Sequence, residues 1–163
     1  MDELKKILDI AVTGEQREKA IKEFKGYLAG WGMTMPPAEI LVQDFGLGDF
    51  KREGLIECWV ANEMEAGYCG KFLFVFEGQT CPMHHHRTKH ETFYIVHGTV
   101  SMTSKGETRA MKPGEVLPVP PGTPHSFRGI STALLLEVSK TCFVDDNFFA
   151  NPRIPIGGNY QGS

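Results

Sequence analysis

The chain has 163 residues, and 17 lysines and arginines against 20 aspartates and glutamates give a formal net charge of −3 with neutral histidines. Apolar residues make up 41% and charged residues 23%, which argues against a collagen-like, coiled-coil or disordered chain and predicts one globular domain. The mildly acidic balance, without a large basic cluster, argues against binding to nucleic acid or to a membrane surface.

Three features of the sequence favour a cytoplasmic location. The apolar runs are far shorter than the roughly 18 residues that a membrane-spanning helix needs. The charged N-terminus lacks the basic start and apolar block of a signal peptide. The cysteines contain no CxxC pair and are expected to be free thiols. They are Cys58, Cys69, Cys81 and Cys142.

Residues 1–34 are predicted to form a helical arm. Asp2 is the expected N-cap of a first helix, whose apolar stripe consists of Leu4, Ile7, Leu8 and Ala11. Thr13 and Gln16 have the spacing of a capping box for a second helix that ends at Gly30, and its stripe consists of Ala20, Ile21, Phe24 and Leu28. We expect this arm to pack on the core or to form a dimer contact, because it carries no cluster of ligand-type residues.

Residues 35–163 have the composition of a β-protein, with short apolar runs divided by glycines and prolines. The predicted strands are Leu55–Asn62, Lys71–Glu77, Glu91–His97, Thr99–Ser104, Glu115–Val119, His125–Arg128 and Thr132–Ser139. Seven or more short strands at close spacing predict a sandwich or barrel. The glycine- and proline-rich stretch 151–163 is expected to be an extended tail that packs along it.

The pattern from His84 to Glu91 predicts a metal site. On a strand, residues two apart point to the same face, so His84 and His86 present two imidazoles to one ion while His85 faces away. Glu91 follows His86 at an odd offset, so it reaches the same ion only if the chain bends at residues 87–89.

His125 follows a sharp turn into a strand and is the natural fourth ligand. Three neutral imidazoles and one carboxylate leave open coordination positions on a divalent metal and suit Mn²⁺, Fe²⁺, Ni²⁺ or Zn²⁺. A closed structural zinc site is less favoured, because such sites prefer thiolates and Cys81 is expected to point to the other face of the strand. The alternative is a solvated histidine-rich surface.

Two motifs of the sequence resemble the two signature motifs of the cupin superfamily. The elements that match are Gly78, His84, His86, Glu91 and Gly98 in the first, and Gly114, Pro120, Gly122 and His125 in the second. This resemblance implies an all-β fold, a double-stranded β-helix barrel, with His84, His86, Glu91 and His125 as ligands of a metal inside it. The sequence departs from the second motif at Gly129, where asparagine is common, but that position is not a ligand.

Three further side chains are candidates for the chemistry. Lys89 lies two residues before Glu91 and shares its inward face if that stretch is extended. Glu137 lies in an apolar strand and must be paired, hydrogen-bonded or functional. Lys71 is a weaker candidate that lines the cavity or faces outward. A surface cation at Lys89 and a structural ion pair at Glu137 are the alternatives.

A closer resemblance is to the D-lyxose isomerase family of cupins, which interconvert aldoses and ketoses such as D-lyxose and D-xylulose or D-mannose and D-fructose. The segments that carry it, written by their numbers, are 44–48, 68–71, 78–86, 89–93, 137–139 and 151–154. By this resemblance Lys89 and Glu137 shuttle protons and the cofactor is a divalent metal, Mn²⁺ first, with Fe²⁺, Co²⁺, Ni²⁺ or Zn²⁺ as alternatives.

The chemistry of isomerisation fits these residues. The reaction needs a Lewis acid for a carbonyl and its neighbouring hydroxyl, removal of a proton from C2 and its return to C1 through an enediol. We assign Glu137 to the carbon and Lys89 to the oxygens, and the reverse assignment is also open. Which sugar is used stays open, because the gap between His86 and Glu91 is short for the family.

Other readings of the same site remain. Phosphate partners for a phosphosugar isomerase are available in Lys71, Arg87, Lys105 and Arg128. An Fe²⁺-dependent dioxygenase uses the same four ligands, and a non-catalytic sugar- or metal-binding module is a third reading. By resemblance to small cupins we expect a homodimer that forms through the helical arm or an exposed sheet edge.

Overall fold

The structure is a computed structural model that describes residues 3–160. Two helices, α1 and α2, precede a run of short strands, and a 3₁₀ turn stands before the last strand. The elements in chain order are α1 Glu3–Leu8, α2 Gly14–Gly30, β1 Ile40–Gln43, β2 Leu55–Glu63, β3 Tyr68–Val75, β4 Thr80–His85, β5 Glu91–His97, β6 Val100–Ser104, β7 Glu107–Met111, β8 Val116–Val119, β9 His125–Gly129, β10 Ala133–Ser139, the 3₁₀ turn Val144–Asp146 and β11 Phe148–Phe149.

The strands form two antiparallel sheets, which confirms the predicted all-β architecture. The larger sheet has the order β1-β2-β3-β10-β5-β8, and the smaller has the order β11-β4-β9-β6-β7. β10 lies between β3 and β5, although it follows them late in the chain, so the sheet joins distant segments side by side. No helix of residues 3–160 is long and apolar enough to cross a bilayer.

The inward faces of the two sheets form the main core. Residues that alternate along a strand point inward, as in the Glu91–His97 strand, where Glu91, Phe93 and Ile95 are buried. Inward-facing apolar side chains from both sheets pack together, among them Leu73, Phe93, Ile95, Phe127 and Leu135. This apolar packing fills one end of the space between the sheets and leaves the other end to charged residues.

The helical arm covers the outer face of the larger sheet. The α2 side chains Ala20, Phe24 and Leu28 are buried there, and the Phe24 ring meets the Phe74 ring edge-on at 4.9 Å between centroids. The first helix buries Ile7 in a separate cluster beside Trp59. Most side chains of the predicted apolar stripes therefore do pack on the barrel, as amphipathic helices normally do, but Leu8 is exposed.

The boundaries and caps of the two helices differ in part from the prediction. Helix α1 ends at Leu8, so Ala11 lies beyond it. The expected N-cap Asp2 lies outside the described residues. Thr13 is the N-cap of α2 with an extended backbone, but its side chain makes no capping hydrogen bond, and Gly14 turns the chain with φ of +65°. Helix α2 ends at Gly30, as predicted.

The sequence pattern does not predict four of the strands, namely Ile40–Gln43, Thr80–His85, Glu107–Met111 and Phe148–Phe149. The third of these is largely exposed and lacks an apolar alternation, and the second contains Pro82, which normally argues against a strand interior. Pro82 is tolerated because the pairing of β4 with β9 is irregular between Cys81 and His84. In the tail, Ile154 is buried, and residues 161–163 lie outside the described part.

Gly98 closes the turn between β5 and β6 and is expected to be the most sensitive turn glycine. Its φ is +73°, and an added Cβ would overlap the carbonyl oxygen of Thr132. Gly106 has a similar φ of +77°, but its Cβ would meet open space. Gly98→Ala should therefore lower the free energy of unfolding by about 1–3 kcal/mol more than the matched control Gly106→Ala, because overpacking adds to the shared backbone strain. Urea denaturation measures both, and equal losses would contradict this interpretation.

Candidate metal centre

A row of charged residues crosses four neighbouring strands of the larger sheet. Glu57 lies on β2, Lys71 on β3, Glu137 on β10 and Glu91 on β5, which is the order of these strands in the sheet. Lys71 and Glu137 are direct cross-strand partners. All four side chains are buried and line one cavity at the end of the barrel that the apolar core leaves free.

Three histidines meet this row from the smaller sheet. His84 on β4 and His125 on β9 are paired across the ladder, and His86 follows directly after β4. With Glu91 they form a buried group whose ligand atoms all lie within 4.8 Å of one another. The group therefore bridges the two sheets.

The hydrogen bonds of the imidazoles fix which nitrogen faces the group. His84 Nδ1 donates to the Pro82 carbonyl oxygen at 2.8 Å, and His125 Nδ1 donates to the Thr123 carbonyl oxygen at 3.0 Å. His86 Nδ1 donates to the Asp146 carbonyl oxygen at 3.0 Å. A carbonyl oxygen can only accept, so each Nδ1 carries the hydrogen and each Nε2 presents a lone pair, which is the usual arrangement around a bound metal.

The converging atoms need a cation. Glu91 Oε1 lies 2.6 Å from His125 Nε2 and 3.3 Å from His86 Nε2, and these three buried atoms have no hydrogen-bond partner. Since all are acceptors in this tautomer, they repel one another unless a positive ion lies between them. The donor set of three imidazoles and one carboxylate fits a divalent transition metal.

The protonation states suit ligation near neutral pH. Burial lowers the pKa of His84 well below its usual value, and the neighbouring imidazoles lower it further. Burial also lowers the pKa of His86. Burial alone would raise the pKa of Glu91, but the positive charge of the Lys89 ammonium holds it well below the usual range. Both imidazoles are then neutral and the carboxylate is charged.

An alternating chain of ion pairs leads away from Glu91. Lys89 Nζ lies 2.7 Å from Glu91 Oε2 and 3.0 Å from Glu137 Oε1. Lys71 Nζ lies 3.5 Å from Glu137 Oε2 and 3.6 Å from Glu57 Oε2. Three carboxylates and two ammonium groups leave one negative charge in excess, which a divalent cation more than balances.

This chain keeps Glu137 charged. Burial alone would raise its pKa, but the ammonium groups of Lys71 and Lys89 lower it below the usual value. Burial likewise opposes the charged form of Lys89, but the carboxylates of Glu137 and Glu91 raise its pKa above the usual value. A deprotonated carboxylate therefore lies in contact with a protonated ammonium group, which are the ionisation states that a general base and a general acid start from.

Comparison with known proteins decides the family. The D-lyxose isomerase family model matches residues 13–99, and the cupin domain model matches residues 72–139. The chain belongs to the D-lyxose isomerase family. It is 31% identical to the D-lyxose ketol-isomerase of Cohnella laeviribosi, over 76% of this chain and 84% of that protein. It is 32% identical to the D-lyxose/D-mannose isomerase of Thermosediminibacter oceani, over 71% of this chain and 78% of that protein.

Solved structures show the same fold. L-ribose isomerase of Cellulomonas parahominis with L-ribose superposes with a TM-score of 0.72 at 15% identity, over 89% of this chain and 95% of that chain. Together with the cupin match, this confirms the predicted cupin barrel with an N-terminal helical arm. The relatives are aldose–ketose isomerases by name, so the family assignment also confirms the predicted class of enzyme.

The structure brings all seven candidate site residues together, five of them on the wall of one cavity and His86 and His125 in the buried metal group beside it. The seven residues are His84, His86, Lys89, Glu91, His125, Glu137 and Lys71. Their roles stay predictions. The chain does bend at residues 87–88, and His85 stacks on Phe148 outside the metal group.

The other basic candidates lie elsewhere. The Arg87 guanidinium sits over the Phe148 ring at 4.0 Å, and Lys105 and Arg128 are exposed. Only Lys71 of the four proposed phosphate partners reaches the cavity.

One expectation about strand β4 is wrong, namely the direction of the Cys81 side chain. Cys81 does not point away from the site but is buried and lines the cavity with His84. The irregular pairing between Cys81 and His84 shifts the alternation by one residue, so an odd offset still gives the same side. The thiol stays protonated, because burial raises its pKa well above the usual value. The predicted free state of all four cysteines is confirmed.

Sequence reasoning missed Glu57 and Asp146. Glu57 lies in an apolar run of β2, the same signal that singles out Glu137, and the structure shows that it meets Lys71 on the neighbouring strand. Its carboxylate also accepts a hydrogen bond from Trp59 Nε1 at 2.7 Å. Asp146 lies in a loop far along the chain, and its carboxylate holds the bend before Glu91.

Metal binding should stabilise the protein. Mn²⁺ at 100 times its dissociation constant is expected to raise the free energy of unfolding of metal-stripped protein by about 2.7 kcal/mol, measured by thermal or urea unfolding. His125→Ala should abolish this gain, because it removes one of four ligands. The exposed neighbour of the site, His90, supplies the control His90→Ala, which should keep the gain. A full gain in His125→Ala would exclude this metal site.

Proposed function

We propose that this enzyme interconverts an unphosphorylated aldose and its ketose, of the D-lyxose/D-xylulose or D-mannose/D-fructose type, through an enediol. The observation that carries the proposal is the position of Lys89. Its ammonium group lies between the carboxylate of Glu91, which belongs to the metal site, and the carboxylate of Glu137, which does not. The family assignment and the names of the relatives support the reaction class and the type of sugar.

The metal would be held by His84, His86, Glu91 and His125, and we propose Mn²⁺ as the native ion. Bound there, a divalent metal supplies Lewis acidity for the sugar carbonyl and the adjacent hydroxyl. The ligand set does not distinguish Mn²⁺ from Fe²⁺, Co²⁺, Ni²⁺ or Zn²⁺ on affinity, so the proposal for Mn²⁺ rests on the family.

Glu137 is the base that acts at carbon in this proposal. Its two oxygens are held by different lysines, and the Ser139 hydroxyl donates to Oε1 at 2.9 Å, so the carboxylate is fixed on the cavity wall. It takes the proton from C2 and returns it to C1. Lys89 donates a proton to the carbonyl oxygen as the enediol forms and takes one back from the neighbouring hydroxyl as it collapses.

The charges of the cavity favour a neutral sugar over a phosphosugar. Among the described residues that line it, the cations are Lys71 and Lys89, and each already contacts two carboxylates. A phosphate group would have to compete with these pairs and would face Glu57 and Glu137. Sugar hydroxyls, in contrast, can donate to the same carboxylates.

The first test is an anaerobic assay of metal-stripped protein that has been resupplied with Mn²⁺. D-lyxose, D-mannose, D-xylulose and D-fructose are offered beside their phosphates. Metal-dependent conversion of a free sugar without oxygen supports the proposal. Conversion of phosphosugars alone would make it wrong, and turnover that requires oxygen would favour a dioxygenase.

Loss of either member of the proton-transfer pair should stop catalysis without loss of the metal. Glu137→Gln and Lys89→Met are each expected to lower kcat by about 10²–10⁴-fold, the usual contribution of a general acid or base. His90→Ala, next to Lys89 but exposed, should retain normal turnover. Metal content is measured on each variant. Near-normal kcat in either with metal bound would refute the assignment.

We also propose a homodimer that forms through the open half of the outer face of the larger sheet. Helix α2 covers one half of this face around Phe74. The other half exposes apolar side chains to solvent, and these are Val60, Tyr94, Val116 and Val138. Strand β8, at the edge of the sheet, carries Val116, so the face continues to the exposed edge. A contiguous apolar patch of this kind is typical of an interface.

Val138→Lys should convert the dimer to a monomer, because it buries a charge at the centre of the patch. Light scattering at micromolar concentration measures the mass. Ile130→Lys, at an equally exposed apolar residue outside this face, is the control and should remain dimeric. A wild-type monomer, or a dimeric Val138→Lys variant, would contradict this interface.

We propose the cytoplasm as the location. The four cysteines are buried free thiols, a pattern typical of a reducing compartment.

A further inference from the structure

We infer that Asp146 is a positioning residue of the active site, which sets the place of Lys89 and the orientation of the metal ligand His86. Its carboxylate accepts hydrogen bonds from three consecutive backbone N–H groups. Arg87 N donates to Oδ1 at 3.0 Å, Thr88 N donates to both oxygens at 3.2 and 3.1 Å, and Lys89 N donates to Oδ2 at 2.9 Å. One side chain thus shapes the whole bend between β4 and β5.

Two more contacts tie the same residue to the site. The Thr88 hydroxyl donates to Asp146 Oδ2 at 2.7 Å. The backbone carbonyl of Asp146 accepts the hydrogen bond from His86 Nδ1, which fixes the tautomer and the plane of that imidazole. Asp146 touches neither the metal position nor the cavity, so it acts through His86 and Lys89.

The bend depends on this carboxylate because residues 86–90 belong to no strand. Lys89 must nevertheless bury its ammonium group between Glu91 and Glu137, so a small change in its backbone moves the group that transfers protons. Consecutive N–H groups directed at one anion form a recurrent, rigid backbone arrangement.

The 3₁₀ turn that carries Asp146 is itself anchored by the N-terminal helix. The buried Glu3 accepts a hydrogen bond from Val144 N at 2.6 Å, and Lys6 pairs with Asp145 at 3.0 Å. Helix α1 therefore supports the metal site from outside the barrel, which the sequence pattern of the arm does not indicate.

Asp146→Asn tests the inference, because it keeps the shape but turns one acceptor oxygen into a donor that faces N–H groups. We expect the Kd for Mn²⁺, measured by calorimetry on metal-stripped protein, to rise about 10- to 100-fold, as for other residues that orient metal ligands. At saturating Mn²⁺, kcat should fall at least about 10-fold with KM for the sugar little changed, because the lost geometry concerns proton transfer. Asp49→Asn, at an exposed aspartate whose carboxylate pairs with Arg52 and not with the bend, is the control and should change neither constant.

A milder variant keeps the test valid if Asp146→Asn does not fold. Thr88→Val removes only the hydroxyl bond of an exposed residue, and it should shift Kd and kcat in the same direction by a smaller factor. If either folded variant lost only stability while Kd and kcat stayed normal, Asp146 would be structural and the inference wrong. The prediction for kcat rests on the proposed function, but the prediction for the Kd of Mn²⁺ does not. A protein that binds Mn²⁺ but converts no sugar would therefore refute the proposed function alone.

Discussion

The constraint on which this molecule depends is the balance of charge inside an apolar barrel. Five ionised side chains lie buried at one end, and the effective cost of taking each from water is several kcal/mol unless a partner compensates it. The order of the strands gives each charge an opposite neighbour, from Glu57 to Glu91. The chain of pairs ends where Glu91 meets three imidazole lone pairs. The arrangement is complete only with a divalent cation at that point.

The same arrangement prepares the chemistry. Because the network has more carboxylates than ammonium groups, Lys89 is shared between a metal ligand and Glu137. In the proposed mechanism a proton would move between substrate oxygen and Lys89, and between substrate carbon and Glu137, with little reorganisation of the surrounding charges. Lys71 and Glu57 keep the remote side of Glu137 in place. Preorganisation of this kind favours proton transfer over simple ligand binding.

The sequence predicts those parts of the site that depend on the local geometry of a strand. The period of two on a strand correctly groups His84 with His86 and places Lys89 with Glu91, and the odd offset between the two pairs correctly requires a bend. The same rule fails at Cys81, because an irregular pairing next to Pro82 shifts the alternation. Local context also singles out His125, which follows a turn into a strand, and Glu137, which lies in an apolar strand, and the family resemblance adds their predicted roles.

The sequence alone does not predict which strands and turns contact each other in the fold. Glu57 meets Lys71 through the pairing of β2 with β3, and the insertion of β10 between β3 and β5 extends this pair into the charged row. Asp146 becomes part of the site because a short 3₁₀ turn packs on the bend between β4 and β5. Asp146 has no local pattern that distinguishes it from an ordinary surface acid, whereas Glu57 lies in an apolar run like that of Glu137. The fold class, in contrast, follows from turn residues and strand spacing and needs no tertiary information.

The most direct test of this account is a crystal structure of the Mn²⁺-loaded protein with anomalous diffraction from the metal. The account predicts one strong anomalous peak bonded to Nε2 of His84, His86 and His125 and to a carboxylate oxygen of Glu91, with Lys89 still between Glu91 and Glu137. A metal bound elsewhere, a thiolate ligand from Cys81, or a Lys89 side chain turned out to solvent would contradict it.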